Sequence, residues 1–211
     1  MYNAFILNLS SSIPHPKSEY MANTEHSLPS SKQYQRIGMI ARWQPVHLGH
    51  APVLRALCEN AVHALVGIGS ADTRDYRSPF TLEETTAMLE IALADHQNYT
   101  LIPVPDLHDG PRWRELVLEL FGDLDVFVTA NPYVRSLLES DYPILHPVEL
   151  VPPDQRVPVE GMAVRRAMAR GEDWQALVPP QIAAYLTENH LAKRFQREFG
   201  LQTLALETML E

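Results

Sequence analysis

Cysteine is almost absent from this chain. Cys58 is its only one, which excludes an internal disulfide and fits a reducing, cytoplasmic compartment. Its apolar neighbours suggest a buried structural thiol. Lysine is nearly as scarce, with three lysines against 14 arginines. No apolar run approaches the length that spans a bilayer, so no membrane partner is expected. Excess positive charge is lacking too. A formal net charge of −9 argues against non-specific nucleic-acid binding. It leaves room for a phosphorylated small substrate, because such a site needs only local positive charge. Nor does any stretch offer a Ser-His-Asp arrangement or an activated cysteine nucleophile.

What remains is an ordinary globular composition. The 211 residues are 45% apolar and 20% charged, enough for one well-buried core and too little for two full domains. Residues 1–35 are rich in Ser, Pro, Asn and His without sustained periodicity, and predict an unstructured leader. The apolar Ala4 to Leu9 is too short for a signal-peptide core. A folded domain is expected over 36–190, with a helical extension over 191–211. Leu201, Leu204, Ala205 and Met209 give that extension an apolar stripe that packs either on the domain or on a second subunit of a homo-oligomer.

From Arg36 the pattern alternates. Continuous apolar runs at Ile37–Ala41, Ala64–Ile68, Tyr99–Val104, Asp125–Thr129 and Ile144–Val148 read as strands. Helical patterns fall at Gly49–Ala61, Leu82–Ala94, Pro111–Phe121, Pro132–Ser140 and Met162–Ala169, with more helix from Trp174. Apolar strands alternating with helices predict an α/β fold with a parallel sheet covered on both faces. Such sheets bind ligands at the carboxyl ends of their strands.

The stretch Arg42-Trp43-Gln44-Pro45-Val46-His47-Leu48-Gly49-His50 lies at the first of those ends, where a strand gives way to a helix. The first helical N–H groups lack partners and the helix dipole is positive there. Gly49 would let a phosphate approach the backbone, and the two imidazoles can donate hydrogen bonds to it. A nucleotide-phosphate site follows. Two competing readings are a metal site, for which no acidic or cysteine third ligand lies close in sequence, and a helix start with incidental histidines.

The second strand ends in Val66-Gly67-Ile68-Gly69-Ser70-Ala71, and the glycines would allow backbone to lie close to a ligand. The polar loop that follows carries Arg74 and Arg77, either of which is a phosphate contact or a solvated loop residue. Thr81-Leu82-Glu83-Glu84 fits a capping box, which accounts for Glu84 without catalysis. Trp113, Leu116, Val117 and Leu120 form a helical stripe, so Trp113 is either core or a platform for a planar base, where a cation–π contact contributes about 0.5–2 kcal/mol. Asn131-Pro132 suits a helix N-cap and N1.

Arg-x-Gln-Pro-x-His-x-Gly-His resembles the HxGH signature of the nucleotidylyltransferase superfamily. Its longer form, with the Gly-Ile-Gly-Ser-Ala, Pro-Phe-Thr and Asn-Pro segments, is similar to the archaeal-type nicotinamide-nucleotide (NMN) adenylyltransferases. The resemblance covers residues 36 to 187. It implies a Rossmann-like nucleotidylyltransferase fold and the joining of ATP and NMN into NAD and pyrophosphate. Magnesium would bridge the phosphates with few protein ligands. It further implies His50 at the α-phosphate, His47 and Arg42 on the triphosphate, and Arg165 on the leaving pyrophosphate. Gly49, Gly69, Ser70, Asp106, Trp113 and Asn131 would contact the nucleotides, Asp106 and Trp113 bordering the nicotinamide. The chain departs from the family in two places. Glu83-Glu84-Thr85 replaces Gly-Glu-Arg. In the second signature, Ser-x-Thr-x-x-Arg, Glu160 and Met162 stand where the hydroxyls belong. Two other readings stay open: transfer to a different phosphorylated small acceptor, and a nucleotide-binding sensor weakened in turnover by Glu160 and Met162.

Overall fold

The structure, a computed structural model, describes residues 33–207. Residues 1–32 of the leader expected over 1–35, and Met209 of the expected terminal stripe, lie outside the described residues, whereas Tyr34 and Gln35 at the end of that leader belong to the first strand. The chain runs β1 (Tyr34–Ala41), α1 (Ala51–Asn60), β2 (Ala61–Gly69), α2 (Leu82–Ala92), β3 (Tyr99–Val104), α3 (Gly110–Phe121), β4 (Val126–Val128), α4 (Pro132–Leu138), β5 (Ile144–Leu145), α5 (Pro147–Leu150), α6 (Gly161–Arg170), α7 (Pro180–Glu188) and α8 (Leu191–Glu207). The five strands are all parallel in the order β3-β2-β1-β4-β5, so the fold is the expected α/β, Rossmann-like one.

Side-chain alternation along each strand divides the core between two faces. Ile37 and Met39 of β1, Ala64 and Val66 of β2, and Val126 and Val128 of β4 join one cluster, with Leu54 and Leu57 of α1, Met88 and Leu89 of α2, Val164 of α6 and Ile182 of α7. Leu65 and Phe127 point the other way, onto Val117 and Phe121 of α3 and Leu138 of α4. Burying each such large side chain fully contributes about 1.5–3 kcal/mol.

Strand order reverses beside β1. The chain moves from β1 outward through β2 and β3, then returns to place β4 and β5 on the opposite side. The carboxyl ends of β1 and β4 therefore diverge into a crevice, the place where open parallel sheets take ligands. The residues after Ala41 and after Val128 line it.

Three expectations change. The fifth strand stops at Leu145, because Pro147 cannot continue a ladder and instead begins α5, with His146 and Glu149 forming a capping box. The first helix starts at Ala51 and not at Gly49. The terminal helix does not pack through Leu201, which is 86% exposed. Leu191 and Phe195 carry it into the main core, with Phe199 packed against them. The capping box at Thr81 and Glu84 is present as expected. Among the described residues no helix is long and apolar enough to cross a membrane.

Candidate active site

Between β1 and α1 the chain makes a tight, fully packed turn. Trp43 has a left-handed φ of +57°, is wholly buried, and donates from Nε1 to the Gly67 carbonyl at 2.8 Å. That bond fastens the turn to the end of β2. Gln44 is nearly as buried and joins several elements. Its side chain accepts from the Phe80 N–H at 2.9 Å and donates to the Phe80 carbonyl and Thr85 Oγ1 at 3.1 and 3.0 Å. Its backbone carbonyl accepts from Arg165 of α6 at 2.7 Å. Thr85 thus serves as a buried partner for Gln44.

The two histidines of the turn face one another. Their rings stack with centroids 3.6 Å apart, and the His50 ring also meets Trp43 edge-on at 4.8 Å. Both line a cleft of about 840 Å³. Burial, then the charge of Arg165, pushes the His47 pKa down to about 4. Burial and the neighbouring His47 hold His50 well below the usual histidine value, while the Pro45 carbonyl acts in the opposite direction. Both rings are therefore neutral near pH 7. The Gly49 N–H donates to His47 Nδ1 at 3.1 Å, which assigns the His47 proton to Nε2.

Gly49 itself does not line the cleft. A Cβ there would stand 2.4 Å from the Val159 carbonyl and 3.1 Å from the His47 ring, so the glycine admits the segment before α6, and not a phosphate as expected. The start of α1 is also less open than expected. The N–H groups of His50 and Ala51 both donate to the His47 carbonyl, and Pro52 has none. The helix that opens onto the cleft is α6. Among the described residues the N–H groups of Gly161, Met162 and Ala163 meet no acceptor, and Glu160, Gly161 and Met162 all line the cleft. Glu160 makes no capping bond with its side chain and is exposed.

Positive charge in the cleft comes from Arg42, Arg77 and Arg165. Arg165 is 93% buried, on a relative exposure of 7%. Burial first, then the charges of Arg42 and Arg77, lower its pKa to about 10, with Asp75 partly offsetting them. It stays charged at neutral pH. Among the described residues none of these three guanidiniums makes an ion pair. Two buried nitrogens in the cleft wall, His50 Nδ1 and Arg165 Nε, have no hydrogen-bond partner. Mutually repelling cations and the unpaired Nε–H of Arg165 together mark a site for an anion.

The remaining expected residues lie along the same cleft. Ser70, in a left-handed conformation just after Gly69, donates to Asp106 Oδ2 at 3.3 Å. Trp113 lines the cleft while also packing on the α3–α4 core. Asn131 caps α4, accepting from the Tyr133 and Val134 N–H groups at 2.9 and 3.4 Å. Arg77 lines the cleft, whereas Arg74 turns away to Glu198 of α8. Sequence reasoning missed Tyr133, which lines the cleft and is 61% exposed. An aromatic just inside a helix that follows Asn-Pro was the available signal. Among the described residues no three histidine, cysteine or acidic side chains gather as a metal cage.

No family model matches the chain. It is 34% identical over 161 residues to the nicotinamide-nucleotide adenylyltransferase of Methanocorpusculum labreanum, covering 75% of this chain and 94% of that protein. It is also 34% identical over 160 residues to the enzyme of the same name from Halobacterium salinarum, covering 74% and 88%. Among solved structures it is similar to a bifunctional NMN adenylyltransferase/ADP ribose pyrophosphatase from Francisella tularensis, with a TM-score of 0.67 and 16% identity over 82% of this chain. The same bifunctional protein complexed with AMP and a manganese ion gives a TM-score of 0.63 at 17% identity, again over 82% of this chain. The chain spans about half the length of those bifunctional proteins, 55% and 54%.

Proposed function

The chain belongs to the nicotinamide-nucleotide adenylyltransferase family, and from that premise we propose how its cleft joins ATP to NMN. The chain is a nucleotidyltransferase. A phosphate oxygen of NMN bonds to the α-phosphorus of ATP as the bond to the bridging oxygen breaks, giving NAD and releasing pyrophosphate. The attacking group is a phosphate monoester whose second pKa is about 6, so it is largely ionised near neutrality and needs no general base. Catalysis then rests on alignment and on neutralising charge as it develops.

In this reading His50 donates to the α-phosphate and the Nε2–H of His47 donates to the triphosphate. Each neutral imidazole carries one N–H and can donate one hydrogen bond to a phosphate oxygen. Arg42 and Arg77 meet the triphosphate from the open side of the cleft. Arg165, held in place by the Gln44 carbonyl, steadies the departing pyrophosphate together with the free N–H groups of α6. Those N–H groups and Arg165 survive the exchange of two hydroxyls for Glu160 and Met162. The exchange removes donors worth about 1.5–3 kcal/mol each and leaves the charged part of the subsite standing. At the other end Trp113 and Asp106 border the nicotinamide. Ser70 fixes Asp106, and Gly69 and Asn131 approach the adenosine.

A divalent cation such as magnesium, arriving with the nucleotide, would supply further neutralisation of the phosphate charge. Among the described residues the cleft wall offers no cage of its own, and Glu160 is the carboxylate on the phosphate side that would face the cation. A structural relative was solved with AMP and a manganese ion, which supports the use of a divalent cation. A cytoplasmic setting, suggested by the single buried thiol, belongs to the same proposal.

One observation carries the reading: stacked neutral imidazoles and three guanidiniums without ion pairs among the described residues share one cleft at the switch point of a parallel sheet. The purified protein, given ATP, magnesium and NMN, is expected to form NAD and pyrophosphate. His50→Ala should lose nearly all of that activity while keeping its circular-dichroism spectrum. Pyrophosphate release with another phosphorylated acceptor but not with NMN would move the acceptor assignment. Tight nucleotide binding with no turnover on any acceptor would establish the sensor in its place.

A further inference from the structure

Arg77 reaches the cleft on loop 70–81, and that loop is held from two sides. From within, Gln44 grips the Phe80 backbone. Asp75 Oδ1 accepts from the Arg77 and Ser78 N–H groups, both at 2.7 Å, and Tyr76 Oη accepts from Arg77 Nε at 2.7 Å. The outer hold is α8. Arg194 donates to both oxygens of Glu84, at 2.5 and 2.6 Å, and to the Pro79 carbonyl at 3.3 Å. One turn further on, Glu198 stands 4.0 Å from Arg194 Nε and pairs with Arg74 of the loop. The Arg74 guanidinium also lies 5.9 Å from the centroid of the Phe199 ring. Glu84, Arg194, Glu198 and Arg74 thus form an unbroken row of alternating charge from the start of α2 to the middle of the loop.

We propose that α8 is a strut for the phosphate side of the cleft, with Arg74, Arg194 and Glu198 as positioning residues that set where Arg77 sits. Arg74 acts through Arg77 and does not touch the nucleotide. The proposal rests on the reading of the cleft as an ATP site. Two features separate it from a row of pairs that only stabilises the fold. Arg74 and Glu198 are 46% and 31% exposed, and such a pair adds little to global stability. The residue next but two to Arg74 is the guanidinium that lines the cleft.

The test is a double-mutant cycle read in steady-state kinetics, with amide hydrogen exchange beside it. Arg74→Ala and Glu198→Ala should each raise the KM for ATP by about two- to fivefold, leaving kcat and the KM for NMN as they were. In an Arg77→Ala background Arg74→Ala should add nothing, because it has nothing left to position. Exchange of the amides between 71 and 78 should quicken in Arg74→Ala and Glu198→Ala and stay unchanged in the core strands. Arg74→Lys should restore most of both effects. Wild-type KM and wild-type exchange in both single variants would overturn the strut, as would effects of Arg74→Ala and Arg77→Ala that simply multiply. A protein that makes no NAD would refute the proposed acceptor, and the exchange data would still decide the strut.

Discussion

Between pH 7 and pH 5 the fold should lose stability at His47. Its pKa in the folded chain is about 4, against an ordinary value of 6.5, because burial and Arg165 disfavour the charged ring. In that window the unfolded chain takes up a proton at His47 that the folded chain refuses. Stability is therefore complete above about pH 6.5 and falls as the pH drops, by about 1.4 kcal/mol per unit until it levels near pH 4. At pH 5 the loss reaches about 2 kcal/mol from this residue alone, with His50 adding to it in the same direction. His47→Asn isolates the effect, since its amide oxygen can accept from the Gly49 N–H as Nδ1 does while carrying no proton to titrate. Urea unfolding of both proteins at pH 7 and pH 5 gives the comparison. The wild type should lose about 2 kcal/mol more than His47→Asn over that interval. Parallel losses in the two proteins would show that His47 titrates normally, and the account of a ring held neutral by burial and Arg165 would be refuted with it.

Two further outcomes follow from packing and from the second signature. Gly49→Ala would place a methyl 2.4 Å from the Val159 carbonyl, forcing apart the turn and the segment that leads into α6. It should lower both thermal stability and turnover, measured by a melting curve and NAD formation, whereas a phosphate-contact role alone would leave the melting temperature unmoved. Glu160→Ser with Met162→Thr restores two hydroxyl donors beside the α6 N–H groups. It should raise kcat/KM for ATP by tenfold or more, on about 1.5–3 kcal/mol per bond to a charged group; an unchanged value would mean that neither position faces the phosphates.

Much of the site was legible in the chain because its residues lie at element boundaries that leave local marks. Asn131-Pro132 reads as a cap and a first helical position, and the structure makes it one. Thr81 and Glu84 read as a capping box and form one. His47 and His50 follow an apolar run and precede a helix, so they had to stand at a strand end. Other features were not legible, because they depend on what arrives from far away. Arg74 and Arg77 are equivalent loop arginines in sequence; only the approach of α8, more than a hundred residues later, draws one away and leaves the other in the cleft. Trp113 could not be assigned by its stripe, since a helix at the rim of a cleft turns the same face to the core and to the cleft. Gly49 looked like an opening for phosphate until Val159 was seen to fill that space.

Composition, strand-and-helix rhythm and the motif at the first junction were sufficient to determine the α/β class, the parallel sheet and the family. These are properties written in short-range periodicity and in residues that punctuate it. The tertiary structure alone decided which helix opens its free N–H groups onto the cleft, that both imidazoles are neutral, and that the terminal helix belongs to the core. Each of those depends on burial and on charges brought together across the fold, and neither quantity exists until the chain has folded.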